Sequence, residues 1–323
     1  MTALDTSRDN QAWELMQSAH RFVEAGEWPR AAAALEQAAA IHKEAGRDYD
    51  QARCLQLAAS LRRSAGDPAR ARLLIERAAA AAPEDLPLAV SIATERAEAA
   101  SLEGRHPDAV RLWDEAIAKA RQAEAKPENL SALLRRRAKS RLALHELQPA
   151  AADFDEAAAL LDPRLAAFVR TEQAELLLRD GHAEEAARTL DGIDTSGDAH
   201  LRAEALVLRA RAARTSGRFA EALDFAADAR DAALEAVAPV SYFAAALELA
   251  ASFEAQGDVV NCYGTLATAW ATLGDVLGQG VASSWVEPVL LTYQVKWGND
   301  AFAATRQEYE ARRRAAKPEA PNE

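Results

Sequence analysis

Cysteine is nearly absent: Cys54 and Cys262 are the only two in 323 residues. A disulfide framework is therefore excluded, and the pair reads as reduced, buried packing residues of a cytoplasmic chain. Glycine and proline are scarce, 14 and 12 respectively, and they gather where helices would turn. No stretch shows the two-residue alternation of a strand, so the chain is expected to be all-helical. The opening residues Met1-Thr2-Ala3-Leu4-Asp5-Thr6 are polar and acidic, and no apolar run of membrane length follows. Neither a secretory leader nor a membrane span is expected. Positive charge is short as well: 38 Lys and Arg face 50 Asp and Glu, a net charge of −12. Phosphate backbones are bound through clustered cations, so a nucleic-acid partner is not expected.

Motifs that carry chemistry are missing too. There is no Cys-x-x-Cys, His-Glu-x-x-His, Gly-x-Ser-x-Gly or glycine-rich phosphate loop. Of the six histidines, His106, His145 and His182 fall at successive predicted turns. Adjacent helix pairs stand roughly 10 Å apart, whereas a zinc ion needs ligand nitrogens at about 2 Å, so these three cannot share a metal. The acidic pairs Asp153/Asp155 and Asp224/Asp228 are expected on a solvated outer helix face. No catalytic residue, metal or cofactor is assigned, and the chain is read as no enzyme.

What the chain does have is a repeat. A glycine stands five residues before a small residue at Gly26/Ala31, Gly66/Ala71, Gly104/Ala109, Gly181/Ala186, Gly217/Ala222 and Gly257/Cys262. The interval is about 36 to 41 residues once His145 is placed at the turn midway between Gly104 and Gly181. Seven residues before each turn residue lie Ala19, Ala59, Ala97, Ala138, Ala174, Ala210 and Ala250. Twelve after it lie Ala38, Ala78, Ala116, Ala157, Ile193, Ala229 and Ala269. Small residues at fixed offsets let paired helices approach to about 8–10 Å, and a residue free at positive φ closes the turn between them. Pro29, Pro68, Pro107 and Pro149 fall in the first turn of the second helix, where a missing N–H does no harm.

The segment from Arg53 to Pro83 carries Leu55, Ala59, Gly66, Asp67, Ala71, Ile75, Ala78 and Pro83 in a large-small-turn-small-large-small-proline order. In this it resembles the tetratricopeptide repeat family, in a long-period form similar to bacterial peptide sensors and regulators. The resemblance covers residues 11–272 as seven units, with a degenerate eighth pair to 315 around Gly298 and Ala303. It departs from the family in period and in the late aromatic of the first helix, kept only at Phe22 and Phe253. The fold it implies is an all-α, right-handed α-solenoid. One solenoid is expected over 11–315, after a flexible segment 1–10 and before a disordered tail 316–323.

In that family the first helix of each pair lines a concave groove. The resemblance places Arg53, Arg63, Glu95, Glu98, Arg135, Arg136, Lys139, Glu172, Glu175, Arg211, Arg214, Glu248 and Glu254 there, with sign alternating from helix to helix. Two explanations stand: a ladder of ion pairs fixing repeat register, or a groove whose charges meet a partner. Clamps for heat-shock chaperone tails use lysine and asparagine at such positions. Asparagine is missing here and glutamates intervene, so that subtype is not expected. Arg135, Arg136 and Lys139 are the candidate anchor for an acidic segment, and their joint reversal should abolish binding without unfolding. Ten of the 19 aromatics lie after residue 239. They read either as the core of a terminal cap or as a docking site led by Trp285 and Trp297. Arg312-Arg313-Arg314 complements the dipole at the end of the last helix. The chain is expected to act as an adaptor or assembly chaperone for a protein or peptide; the alternative is a peptide-responsive sensor acting on a separate regulator.

Overall fold

A computed structural model describes residues 3–81 and 85–316, with side chains from Arg8 onward. Pro83 and the tail from Lys317 lie outside the described residues, which hold sixteen helices and no strand. The chain divides into two compact units, Met1–Asp162 and Pro163–Glu323. Unit one comprises α1 (Ala3–Glu24), α2 (Trp28–Glu44), α3 (Asp48–Ser64), α4 (Pro68–Ala81), α5 (Leu86–Leu102), α6 (His106–Gln122), α7 (Pro127–Leu142) and α8 (Leu147–Ala159). Unit two comprises α9 (Pro163–Arg179), α10 (Ala183–Asp191), α11 (Ala199–Thr215), α12 (Phe219–Glu235), α13 (Pro239–Ala255), α14 (Val259–Leu277), α15 (Gln279–Trp297) and α16 (Asn299–Ala315). Each unit is a tandem array of helix-turn-helix pairs. Within an array first helices also pack on first helices, as α3 does on α5, and α11 does on α9 and α13.

The turn residues adopt the left-handed conformation that their chemistry suggests. Gly66 has φ +82°, Gly217 +75°, and His145, with a Cβ to accommodate, +61°. One residue later an N–H reaches back across the helix end: Asp67 to the Arg62 carbonyl, Glu146 to Arg141 and Arg218 to Ala213, at 2.8–2.9 Å. This is the six-to-one bond that closes a helix C-terminus and satisfies one of its orphan carbonyls. The small residues on either side then disappear into the pair: Ala59, Ala71 and Ala78, or Ala210, Ala222 and Ala229, are essentially without solvent contact. The last pair departs from this grammar. It is entered from α14 through Gly278 (φ 87°, ψ 149°), and its two helices are joined through Gly298 (φ 86°, ψ 155°), a region open to glycine alone.

Turns between pairs use the same geometry without the same residues. Gly46, Glu124 and Val237 occupy the left-handed position after α2, α6 and α12, and Ala238 donates to the Ala233 carbonyl at 2.9 Å. Val237 is β-branched, at φ +52°, and 78% exposed, so packing does not offset its strain. Left-handed backbone costs an L-residue about 1–2 kcal/mol, against about 0.5–1 kcal/mol for the extra chain entropy of glycine. Val237→Gly should therefore raise stability by about 0.5–1 kcal/mol in urea unfolding. An unchanged or lower midpoint would show that the valine has an unrecognised contact.

The first described helix is anchored near its start. Helix α1 begins at Ala3, and ion pairs tie it down: Arg47 to Asp9 at 2.5 Å and Arg8 to Glu44 at 3.6 Å. The expectation of a solvated Asp153 is overturned. Its side chain is buried, and Arg137 grips it with two bonds at 2.6 and 3.1 Å while Arg141 approaches to 2.8 Å. The second helix turns this residue toward the first helix of its own pair, where only a fully paired carboxylate is tolerated. Arg137 also holds Asp114 on α6 at 2.7 Å, so the network links two successive repeats.

A similar node sits on Glu36, to which Arg62 donates at 3.0 Å and Arg70 donates as well. Burial opposes the charged form, yet the two guanidinium groups outweigh it and hold the carboxyl below the usual glutamate value of 4.5. A depressed folded-state value means that this stabilisation is fully present above the unfolded value and is lost as pH falls through the folded one. Urea midpoints of the wild-type chain should therefore fall more steeply below pH 4.5 than those of Glu36→Gln. Parallel curves would exclude Glu36 as a source of acid lability.

Candidate functional site

The first-helix face of each unit carries nearly all the residues singled out for binding, and most of their charges are already matched. In unit one Arg63 donates to Glu95 at 3.1 Å, and Arg136 meets Glu98 at 2.9 Å. In unit two Arg211 and Arg214 donate to Glu248 at 2.7 and 3.0 Å, and Lys296 meets Glu254 at 2.6 Å. The register is regular. Glu95, Arg136 and Glu248 each stand nine residues before their own turn residue, and their partners stand six or three before the preceding one. Side chains at such spacings share a helix face, so the partners meet wherever consecutive first helices pack.

Glu248 was expected to be exposed, yet it is buried under its two arginines. Arg135, Lys139 and Glu172 are not free either. Arg136 also lies over the Trp113 ring, 5.8 Å from its centroid. Reversing Arg135, Arg136 and Lys139 together would set new carboxylates beside Glu98, so that variant cannot separate lost binding from lost stability. Among the described residues Arg53 and Glu175 alone of the candidate charges form no ion pair or hydrogen bond.

The C-terminal aromatics pack on one another. Trp285 lies against Phe243 at 5.7 Å, and Trp297 against Tyr293 and Phe302 at 5.0 and 6.0 Å. Tyr263 meets Tyr309 edge-on at 5.5 Å, at a point where Gly264 leaves no room for a Cβ. Trp285 and Trp297 are both half-buried in a cluster with Tyr242, Leu266 and Val286. Both cysteines are free and buried. Burial pushes the Cys54 thiol up to about 11 and the Cys262 thiol up to about 12, which keeps both in the thiol form at neutral pH. Among the described residues no group of three His, Cys, Asp or Glu could hold a metal ion, and no helix is long and apolar enough to cross a membrane.

Unit two adds a feature absent from the charge pattern. Helices α9, α11 and α13 enclose a groove of about 320 Å³, lined by Phe168, Glu172, Glu175, Glu204, Leu208, Arg211 and Val240 among others. Phe168 and Val240 remain exposed on it. The same register would have found these residues: Phe168 and Glu204 stand thirteen before their turns, Glu172 and Leu208 nine, Glu175 and Arg211 six. A search restricted to charges passes over Phe168, Leu208 and Val240.

No family model and no curated protein matches the sequence. Solved structures do match. A signal-transduction ATPase with a tetratricopeptide repeat sensor from Pyrococcus horikoshii superposes with a TM-score of 0.61 over 86% of this chain, at 13% identity. A tetratricopeptide repeat protein from Parabacteroides merdae matches 86% of this chain and 98% of its own length, with a TM-score of 0.53 and 17% identity. This chain has the tetratricopeptide repeat fold. It spans 44% of the Pyrococcus protein, so the likeness concerns the repeat array. Within that array, the groove of α9, α11 and α13 joins apolar surface and unmatched charge in one pocket, and Arg53 with the exposed Leu57 on α3 forms a smaller such patch.

Proposed function

We propose that this protein is a non-enzymatic interaction scaffold, an adaptor or assembly chaperone that holds a protein or peptide partner against its first helices. The observation that carries this reading is the groove in unit two, where Phe168 and Val240 keep apolar surface open to solvent on a helical wall. Open apolar surface beside polar groups is what an interaction site requires. The ion-pair ladder supports the reading indirectly, because it fixes the spacing of the first helices and so preorganises the groove. A cytoplasmic setting belongs to the same proposal, supported by two unpaired thiols.

Tagged chain exposed to extract of its source cells tests this, beside Phe168→Ser/Val240→Ser and a second-helix control, Leu73→Ser on α4. A stoichiometric partner lost only from the first-helix variant is the expected result. A partner indifferent to that variant, or lost with Leu73→Ser instead, would sink the reading. A second reading, a peptide-responsive sensor for a separate transcription or signalling protein, draws on the sensor role of the repeats in the Pyrococcus ATPase. It requires a change of shape, so an unaltered small-angle scattering profile on saturation with a bound peptide would remove it.

A further inference from the structure

The unit-two groove is chemically lopsided. Its cation, Arg211, is engaged by Glu248, whose carboxylate also takes Arg214. Glu175 forms no ion pair or hydrogen bond among the described residues. Glu204 pairs with His200 at 3.2 Å, an imidazole that carries charge only when protonated. Two carboxylates on neighbouring helices thus flank an apolar floor of Phe168, Leu208 and Val240. A cavity of this size suits a few side chains rather than a folded surface, and carboxylates beside an apolar floor favour a cation over an anion.

Resting on the reading that partners sit on the first helices, we infer that this groove takes a linear segment that is both apolar and cationic. An aliphatic or aromatic side chain packs on Phe168, Leu208 and Val240, and a lysine or arginine reaches Glu175 and Glu204. Such a segment is the reverse of an acidic one anchored by Arg135, Arg136 and Lys139, whose charges the fold itself engages.

The experiment is selection of a random-peptide display library on the full chain at neutral pH, followed by anisotropy titration of a synthesised winner. Enriched peptides should combine Lys or Arg with a large apolar residue. Affinity should fall about tenfold or more in Glu175→Lys and in Glu204→Lys, and should weaken with added salt. Acidic or uncharged winners, or affinity unchanged by both reversals, would overturn the inference. Loss of those same winners in Phe168→Ser and Val240→Ser would then leave the first-helix reading standing, whereas indifference to all four substitutions would remove both. Failure to enrich any peptide counts against the inference alone, since a folded partner needs no linear segment. The four substituted side chains are exposed or half-exposed, and matching circular dichroism of each variant separates lost binding from unfolding.

Discussion

Asp153→Ala will destabilise unit one by about 3–5 kcal/mol, the loss typical when one partner of a buried ion pair is removed. The size follows from what is left behind. Arg137 and Arg141, themselves largely shielded, lose a shared carboxylate that Arg137 grips at 2.6 and 3.1 Å. Burial works against the Arg137 charge, and the hydrogen bonds it donates to Asp153 and Asp114, with the charges of those two carboxylates, keep its pKa raised. With Asp153 gone, Arg137 keeps Asp114, half exposed, and Arg141 keeps the Pro149 carbonyl at 3.1 Å, and solvent screens much of what Asp114 can return. Urea unfolding followed by helical circular dichroism measures the loss. A triple variant, Asp153→Leu with Arg137→Met and Arg141→Leu, should recover most of it, because replacing the whole network removes the stranded charges together. A loss below about 1 kcal/mol in Asp153→Ala, the scale of an exposed pair, would show that the site admits water and that the network is peripheral.

Asp153 also marks where reading the sequence fell short, and why. It stands eight residues after His145. The same position in the three preceding repeats is Ala34, Leu74 and Leu112, all buried. Read as a column, the position is core, and a carboxylate in a core column must have cationic partners close by. Read as one of two nearby aspartates, it looks like solvated surface. The turns divide in the same way. Gly26, Gly66, Gly104, Gly181, Gly217 and Gly257 announce a left-handed residue by composition, and His145 was found through its interval. Glu124 and Val237 occupy the same conformation with side chains that give no sign of it, so the turns between pairs stayed invisible. Glu248 is buried where an exposed groove charge is expected, because burial depends on which neighbour covers it and not on its own helix. The groove is only partly legible for a simpler reason: its Glu172, Glu175 and Arg211 belong to the charge pattern, while Phe168 and Val240 are apolar.

Ala222→Leu tests the repeat grammar at its most constrained position, and Ala220 supplies the control two residues away on the same helix. Ala222 stands five after Gly217 and is fully buried where α11 crosses α12, with Ala210 and Ala226 buried alongside. Ala220 is exposed. Leucine has slightly lower helix propensity than alanine, so intrinsic preference predicts nearly the same small effect for both substitutions. Packing predicts different ones. At position 222 the added atoms force the paired helices apart or push neighbours off their rotamers, for a loss of about 1–3 kcal/mol. At position 220 they meet water, and the change should stay within about 0.5 kcal/mol. Equal effects at the two sites, measured by urea unfolding, would mean that the pair relaxes without strain and that the small-residue column records composition instead of contact. A large difference would establish that these alanines set the distance between paired helices. A shift in that distance would be passed to α11, which carries Glu204 and Leu208 into the groove, so Ala222→Leu should also weaken any ligand held there even though residue 222 does not line it.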